Sequence, residues 1–307
     1  MKTRIQLKAA VPSAFRFTLA AFAAMSMSSH AALLVSESFT NYTDGGLNGQ
    51  AATGQGLTGN WNSTTAPFQR QSTGLSMSGA YSSAGSMVLS GSGTTTHKIT
   101  AEFANALPTG QLFGSYLFST TAHADSRSVG LTAVGAAGDN DNTASFVWAG
   151  NGYYSPAAGN PALEGPGVRA EGSSWGGAPA STINGGETYL MLFAFEGSTG
   201  TTTAWVLSQS QLTYHLSGAF DSAALNLAAI GTEAASVVWR GSATGAAAGA
   251  MTHLSMLALP RNNGFEFVWD EFRVSDLSLL ETVTVPEPSA LALGLIAGAF
   301  GLRRRRA

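Results

Sequence analysis

The sequence predicts an all-β fold, an antiparallel β-sandwich, on three observations. Apolar residues recur with period two along most readable segments, as strands with one buried face require. Clusters of Gly, Asn, Asp, Ser and Pro punctuate those segments where the chain must turn. Within the body only residues 221–229 carry a helical pattern, and they are too short to supply the repeated crossovers of a parallel sheet.

The segments run as follows. Residues 97–103 (HKITAEF) set Ile99, Ala101 and Phe103 on one side and Lys98, Thr100 and Glu102 on the other. Residues 127–134 repeat the pattern with Val129, Leu131 and Ala133. Residues 145–149 and 236–240 are aromatic and β-branched, as strands prefer. Residues 188–196 (TYLMLFAFE) and 203–208 (TAWVLS) are continuous apolar runs of strand length. In residues 265–274 strict alternation gives Val268, Asp270, Phe272 and Val274 one face, and Trp269, Glu271 and Arg273 the other. Turn-rich clusters at 138–142, 150–167 and 172–186 read as loops.

Glu37, Ser38, Phe39 and Tyr42, then Leu47 to Gln50 (LNGQ), then Gly56 to Trp61 form an opening with a recognisable order. It resembles the start of secreted concanavalin A-like (laminin G-like) sandwich domains, which are jelly rolls. The segment Val268 to Ser275 (VWDEFRVS) is similar to the closing strand of the same group. The resemblance implies that first and last strands pair, making residues 32–281 one β-sandwich domain.

Both ends carry targeting patterns. Lys2, Arg4, Lys8 and Arg16 precede an apolar stretch at 17–27, and Ser29 and Ala31 are small residues where a signal peptidase reads. Residues 1–31 are therefore expected to be a signal peptide cut after Ala31, with Ala32 an equally easy choice. At the other end Pro286, Glu287 and Pro288 precede a charge-free run at 289–302, and Arg303, Arg304, Arg305 and Arg306 follow. An apolar run ending in arginines reads as a membrane segment, a hydrophobic helix with its basic end in the cytoplasm. At 14 residues it would be about 21 Å long, short of a hydrocarbon core of about 30 Å, which suits a temporary tether.

The three-part tail resembles the PEP-CTERM sorting signal of Gram-negative bacteria. That resemblance implies processing near Pro286 to Pro288 by exosortase, an integral-membrane cysteine protease. It also implies an inner-membrane tethered intermediate that passes to the cell surface or an exopolysaccharide matrix. An ordinary membrane anchor is the competing reading. Residues 282–307 are taken as linker plus tail, with 280–285 extended so that a protease can grip them.

Composition narrows the function classes. Without leader and tail, the chain keeps 7 basic and 17 acidic residues, a net charge of −10 that disfavours nucleic acid and anionic surfaces. There are no cysteines, which removes disulfides, thiolate metal sites and a cysteine nucleophile. The fold must rest on its core.

Few residues of the body suggest chemistry. Glu266, Asp270 and Glu271 are the nearest approach to a glycosidase carboxylate pair. However, Glu266 and Asp270 are four apart, about 13 Å along a strand and too far for a retaining mechanism. An ion pair of Glu271 with Arg273 at a sheet edge is the simpler expectation. Asp139 and Asp141, with Asn140 and Asn142, offer oxygens that suit calcium, or simply a turn. The histidines are scattered, and no other cofactor is expected. Trp148, Tyr153, Tyr154 and Trp175 flank glycine-rich stretches and are candidates for stacking on sugar rings; core packing is the alternative for Trp148. The sequence thus points to an exported, non-catalytic surface or matrix protein. A carbohydrate-binding, lectin-like module acting on exopolysaccharide is the alternative, and a glycan-active enzyme a further one.

Overall fold

The computed structural model describes residues 33–63, 68–78, 81–82, 84–91, 97–120, 126–132, 145–154, 163–170, 183–245, 251–259 and 265–284. Within these, 126–132, 145–154 and 163–170 are described by backbone and register.

In chain order the strands are β1 (Val35–Glu37), β2 (Gly45–Gly46), β3 (Leu57–Ser63), β4 (Phe68–Gln71), β5 (Ser76–Met77) and β6 (Tyr81–Ser82). Next come β7 (Ser86–Gly91), β8 (His97–Leu107), β9 (Gln111–Thr120), β10 (Ser126–Thr132), β11 (Ser145–Tyr154) and β12 (Leu163–Ala170). β13 (Thr188–Glu196), β14 (Thr201–Leu207), β15 (Trp239–Thr244), β16 (Met251–Leu259) and β17 (Phe265–Ser275) complete the series. A nine-stranded sheet runs β15-β14-β13-β9-β17-β7-β4-β2, with β1 added against β17. A six-stranded sheet runs β12-β11-β10-β16-β8-β3, and β5 pairs with β6. Among the described residues every ladder is antiparallel, and one apolar cluster joins the two large sheets, so the fold is an antiparallel β-sandwich. β1 meets β17 through Val35↔Val274 and Glu37↔Phe272, so the first and last strands pair.

The nine-stranded sheet is covered on both faces. Along β13, Tyr189, Met191, Phe193 and Phe195 enter the inter-sheet core, while Leu190 and Leu192 enter a second core. β14 divides in the same way, with Ala204 and Val206 against Trp205 and Leu207. Since side chains alternate along a strand, two covered faces require an unbroken apolar run, which is what 188–196 shows. Gly114 on β9 is the register partner of Phe193, and a Cβ there would lie 2.0 Å from Phe193 Cζ. Only glycine leaves room for that ring.

Three short helices close the second core: Gln209–Leu216, Ser222–Leu227 and Leu279–Val283, contributing Leu212, Leu225, Leu279 and Val283. The Ser222–Leu227 helix matches the helical pattern in the sequence, and Asp221 Oδ1 caps it by accepting from the Ala224 amide at 2.8 Å. The Gln209–Leu216 helix was not expected. Its start is nonetheless legible, since Ser208 and Gln211 stand at capping-box spacing and Gln211 Oε1 accepts from the Ser208 amide at 3.1 Å.

Two further expectations need correction. Residues 280–285 do not begin as an extended linker: Leu279–Val283 is helical, and Leu279, Thr282 and Val283 are buried. Two leucines and a valine find the second core there, and that burial overrides local strand propensity. Residues 150–167 are not one long loop either, because β11 and β12 pair from Val147↔Ala170 to Tyr154↔Leu163.

β17 also departs from strict alternation. Its register with β9 shifts between Asp270 and Arg273, and Glu271 adopts φ 51°, a bulge with one extra residue. Before the bulge Phe267 and Trp269 face the inter-sheet core; after it Phe272 and Val274 do.

Candidate functional site

Register across the six-stranded sheet sets Arg169, Trp148, Gly130, Ser255, Thr100 and Asn62 in one cross-strand row. The rows on either side pass through Val129, Met256 and Ile99, and through Leu131, Leu254 and Ala101. Ile99, Ala101, Leu254 and Met256 all belong to the inter-sheet core. The row of position 148 therefore belongs to the sheet face turned away from that core. Gly150 and Gly167 are partners in the next row of that face. The same face carries His253 opposite Glu102, which in turn is opposite Thr58. Glu102 and Asn62 are exposed, whereas Thr100 and Ser255 are buried.

Tyr154, six positions from Trp148, shares its alternate set, while Tyr153 is the partner of Glu164 and falls on the other. Burial holds His253 below its ordinary value; Glu102 pulls it up, and Lys98 pushes it down. Burial also lowers His97.

The carboxylates around β17 have structural partners. Asp270 Oδ2 accepts from the Leu75 amide at 2.7 Å, and Oδ1 from the Glu271 amide at 2.7 Å. Glu271 Oε2 accepts from Arg273 at 3.0 Å, and Arg273 also donates to the Thr284 carbonyl at 3.4 Å. The ion pair expected from the sequence is present, but it is buried on a central strand rather than at a sheet edge. β17 lies between β9 and β7 because the domain closes by inserting its last strand. Glu266 is exposed while Asp270 is buried, so these two do not face a common cleft.

The opening segment builds a second buried carboxylate. Glu37 Oε1 accepts from the Phe39 amide at 2.7 Å, and Tyr42 Oη donates to Glu37 Oε2. Tyr42 Oη itself accepts from the Thr53 amide at 2.9 Å and from Trp61 Nε1 at 3.0 Å. A hydroxyl that accepts twice has only its own proton left to give, so Glu37 must accept it. Burial raises Glu37 above its ordinary value, with Tyr42 and three backbone amides pulling it back down. The Tyr42 hydroxyl is pushed up to about 12 by burial and by Glu37. Gln50 completes the motif, bonding the Thr43 backbone twice at 3.0 Å. These residues stand out in the sequence, yet only the structure gives them a role: they fix the first strand to the core.

One open cleft of about 460 Å³ is lined by Ser76, Met77, Glu187, Thr188, Ser208, Gln209 and Ser210. Gln209 is tied to Ser78 through Nε2 to the carbonyl at 2.8 Å and Oε1 from the amide at 2.6 Å. Nothing in the sequence pattern marks this cleft, because its walls come from distant segments.

Ala31, Asp139, Asp141, Trp175, Pro286, Glu287, Pro288 and Arg303 to Arg306 lie outside the described residues. Among the described residues no group of three or more His, Asp or Glu could hold a metal ion. Among them, too, no helix is long and apolar enough to cross a membrane.

No protein-family model matches the chain, and no curated protein matches it. Several solved lectin structures are distantly similar. Lectin II from Ulex europaeus has a TM-score of 0.43 at 11% identity, over 80% of this chain and 100% of the lectin. The Lotus tetragonolobus seed lectin gives 0.42 at 8%, over 68% and 92%. The exoplasmic/lumenal domain of VIP36, in its calcium- and mannose-bound form, gives 0.41 at 10%, over 69% and 84%. Scores below one half at such identities carry no inference about family or ligand.

Proposed function

We propose that the chain is an exported, non-catalytic surface or matrix protein whose sandwich is a carbohydrate-binding, lectin-like module for an extracellular polysaccharide. The observation that carries this reading is the position of Trp148, opposite Gly130 and Arg169 and beside the Gly150–Gly167 pair. An indole offers an apolar face to the C–H groups of a sugar ring, while a guanidinium supplies donors to its hydroxyls. Gly130, Gly150 and Gly167 add no side chain at the neighbouring register positions. The reading rests on this end of the row, since Thr100 and Ser255 are themselves buried. Asp270 and Glu271 are engaged by structural partners, which leaves them outside the proposed glycan site.

Delivery is assigned to the tail. Pro286, Glu287 and Pro288, the charge-free run and Arg303 to Arg306 would hold the chain at the inner membrane until exosortase processes it. Two experiments test the two halves. In affinity electrophoresis through polysaccharide gels, Trp148→Ala is expected to abolish retardation while its circular dichroism stays unchanged; full retardation of the folded variant rejects the site. Intact mass of protein recovered from the cell surface is expected to end near Pro288, and to keep Arg303 to Arg306 when all three motif residues are alanine. Wild-type protein that retains its arginines rejects the sorting reading.

A further inference from the structure

We propose that the helical layer over the nine-stranded sheet is a membrane-facing surface, resting on lipid headgroups while the tail holds the chain. This rests on the reading of residues 289–306 as a membrane segment, and two independent observations support it.

The first is where the chain leaves the sandwich. Leu279–Val283 belongs to this layer, with Leu279 and Val283 in the second core. Ser115 Oγ donates to the Thr282 carbonyl at 2.8 Å, and Arg273 to the Thr284 carbonyl. The last described residue is thus fastened to the outer face of the nine-stranded sheet. Only residues 285–288 separate it from the charge-free run, a leash of at most about 14 Å when fully extended. Packed sheets alone stand about 10 Å apart, and the helical layer adds about as much again, so the outer face of the six-stranded sheet cannot be laid flat on the bilayer on such a leash.

The second observation is the distribution of exposed apolar side chains. Among the described residues the large ones are Tyr214 (50% exposed), Leu227 (88%), Ile230 (47%), Leu277 (54%) and Leu280 (42%). All five lie on or beside the three helices of this one layer. A tyrosine and several aliphatic side chains on a leashed surface suit the headgroup–acyl boundary. The charges nearby are mainly acidic, Asp221, Glu233, Asp276 and Glu281 against Arg240, so the contact draws on apolar burial rather than on anionic lipid. Zwitterionic lipid should therefore suffice, with little dependence on salt.

The chain has no cysteine, so single labels can be placed at will. Leu227→Cys, Leu280→Cys and, on the opposite face, Glu102→Cys would each carry an environment-sensitive fluorophore in the full chain. Each would be reconstituted with phosphatidylcholine vesicles containing a nitroxide-headgroup lipid. The expected result is several-fold stronger quenching at positions 227 and 280 than at 102, unchanged by salt. Protein that floats with vesicles but shows equal or no quenching overturns the surface while leaving the tail reading intact. Protein that does not float at all removes the tail reading and the surface with it. A fluorescence change on concentrating the protein in detergent without lipid assigns the face to a second copy of this chain, and also overturns the proposal.

Discussion

The two sheets of this sandwich solve different problems. The nine-stranded sheet is buried twice, against its partner sheet on one side and beneath three short helices on the other. The six-stranded sheet buries Ile99, Ala101 and Phe103 on one side; on the other its residues are polar, with Lys98, Thr100 and Ser255 buried and Glu102 and Asn62 exposed. A doubly buried sheet contributes rigidity and a platform for added layers. A sheet with one polar face keeps a surface on which register can line up Arg169, Trp148 and Gly130. In the reading developed above, one outer face meets the membrane and the other a glycan.

Adjacent residues break or sharpen this contrast most strongly. Phe193→Ala and Leu192→Ala empty opposite cores, and each should lower stability by about 2–5 kcal/mol in urea unfolding. On β8, Phe103→Ala should cost about 3–5 kcal/mol, but its neighbour Glu102→Ala only about 0.5 kcal/mol or less. A tolerated Leu192→Ala would mean that the second core does not form. Glu271→Ala strands Arg273 among buried groups and should cost about 3–5 kcal/mol, with part recovered in Glu271→Ala/Arg273→Met.

Smaller effects test the opening motif and the polar face. Glu37→Gln sets an amide against a Tyr42 hydroxyl that already accepts twice, a loss of about 1–3 kcal/mol. The folded-state value of Glu37 is raised above 4.5, so the folded chain binds this proton more readily than the unfolded one. Glu37 therefore lowers stability as pH rises from 4.5 through its raised value, and Glu37→Gln should remove that slope. His253 carries the opposite sign. Its folded-state value lies below 6.5, so stability falls as pH drops below 6.5, and His253→Asn should reduce that limb, to which the lowered His97 also contributes. Chemical denaturation across pH reads both slopes.

Much of the architecture was legible in the sequence because burial leaves a periodic record. HKITAEF announced the covered face of Ile99, Ala101 and Phe103 but not the burial of Lys98 and Thr100 opposite, TYLMLFAFE announced a strand, and the opening and closing motifs the pairing of β1 with β17. The bulge at Glu271 was not legible, since a non-glycine residue at positive φ leaves no local signature. Nor was the docking of Leu279–Val283, whose five residues are helical only because the second core receives them. The candidate glycan row illustrates the same limit: the sequence could nominate Trp148, but its alignment with Gly130 and Arg169 depends on pairing between distant strands.

Hydrogen exchange on the full chain in vesicles, with and without polysaccharide, tests the two-faced account most directly. Vesicles are expected to protect residues 209–230 and 277–284, and polysaccharide to protect residues 128–132 and 147–150. Protection of the same face by both additions, or of neither face by either, would contradict it.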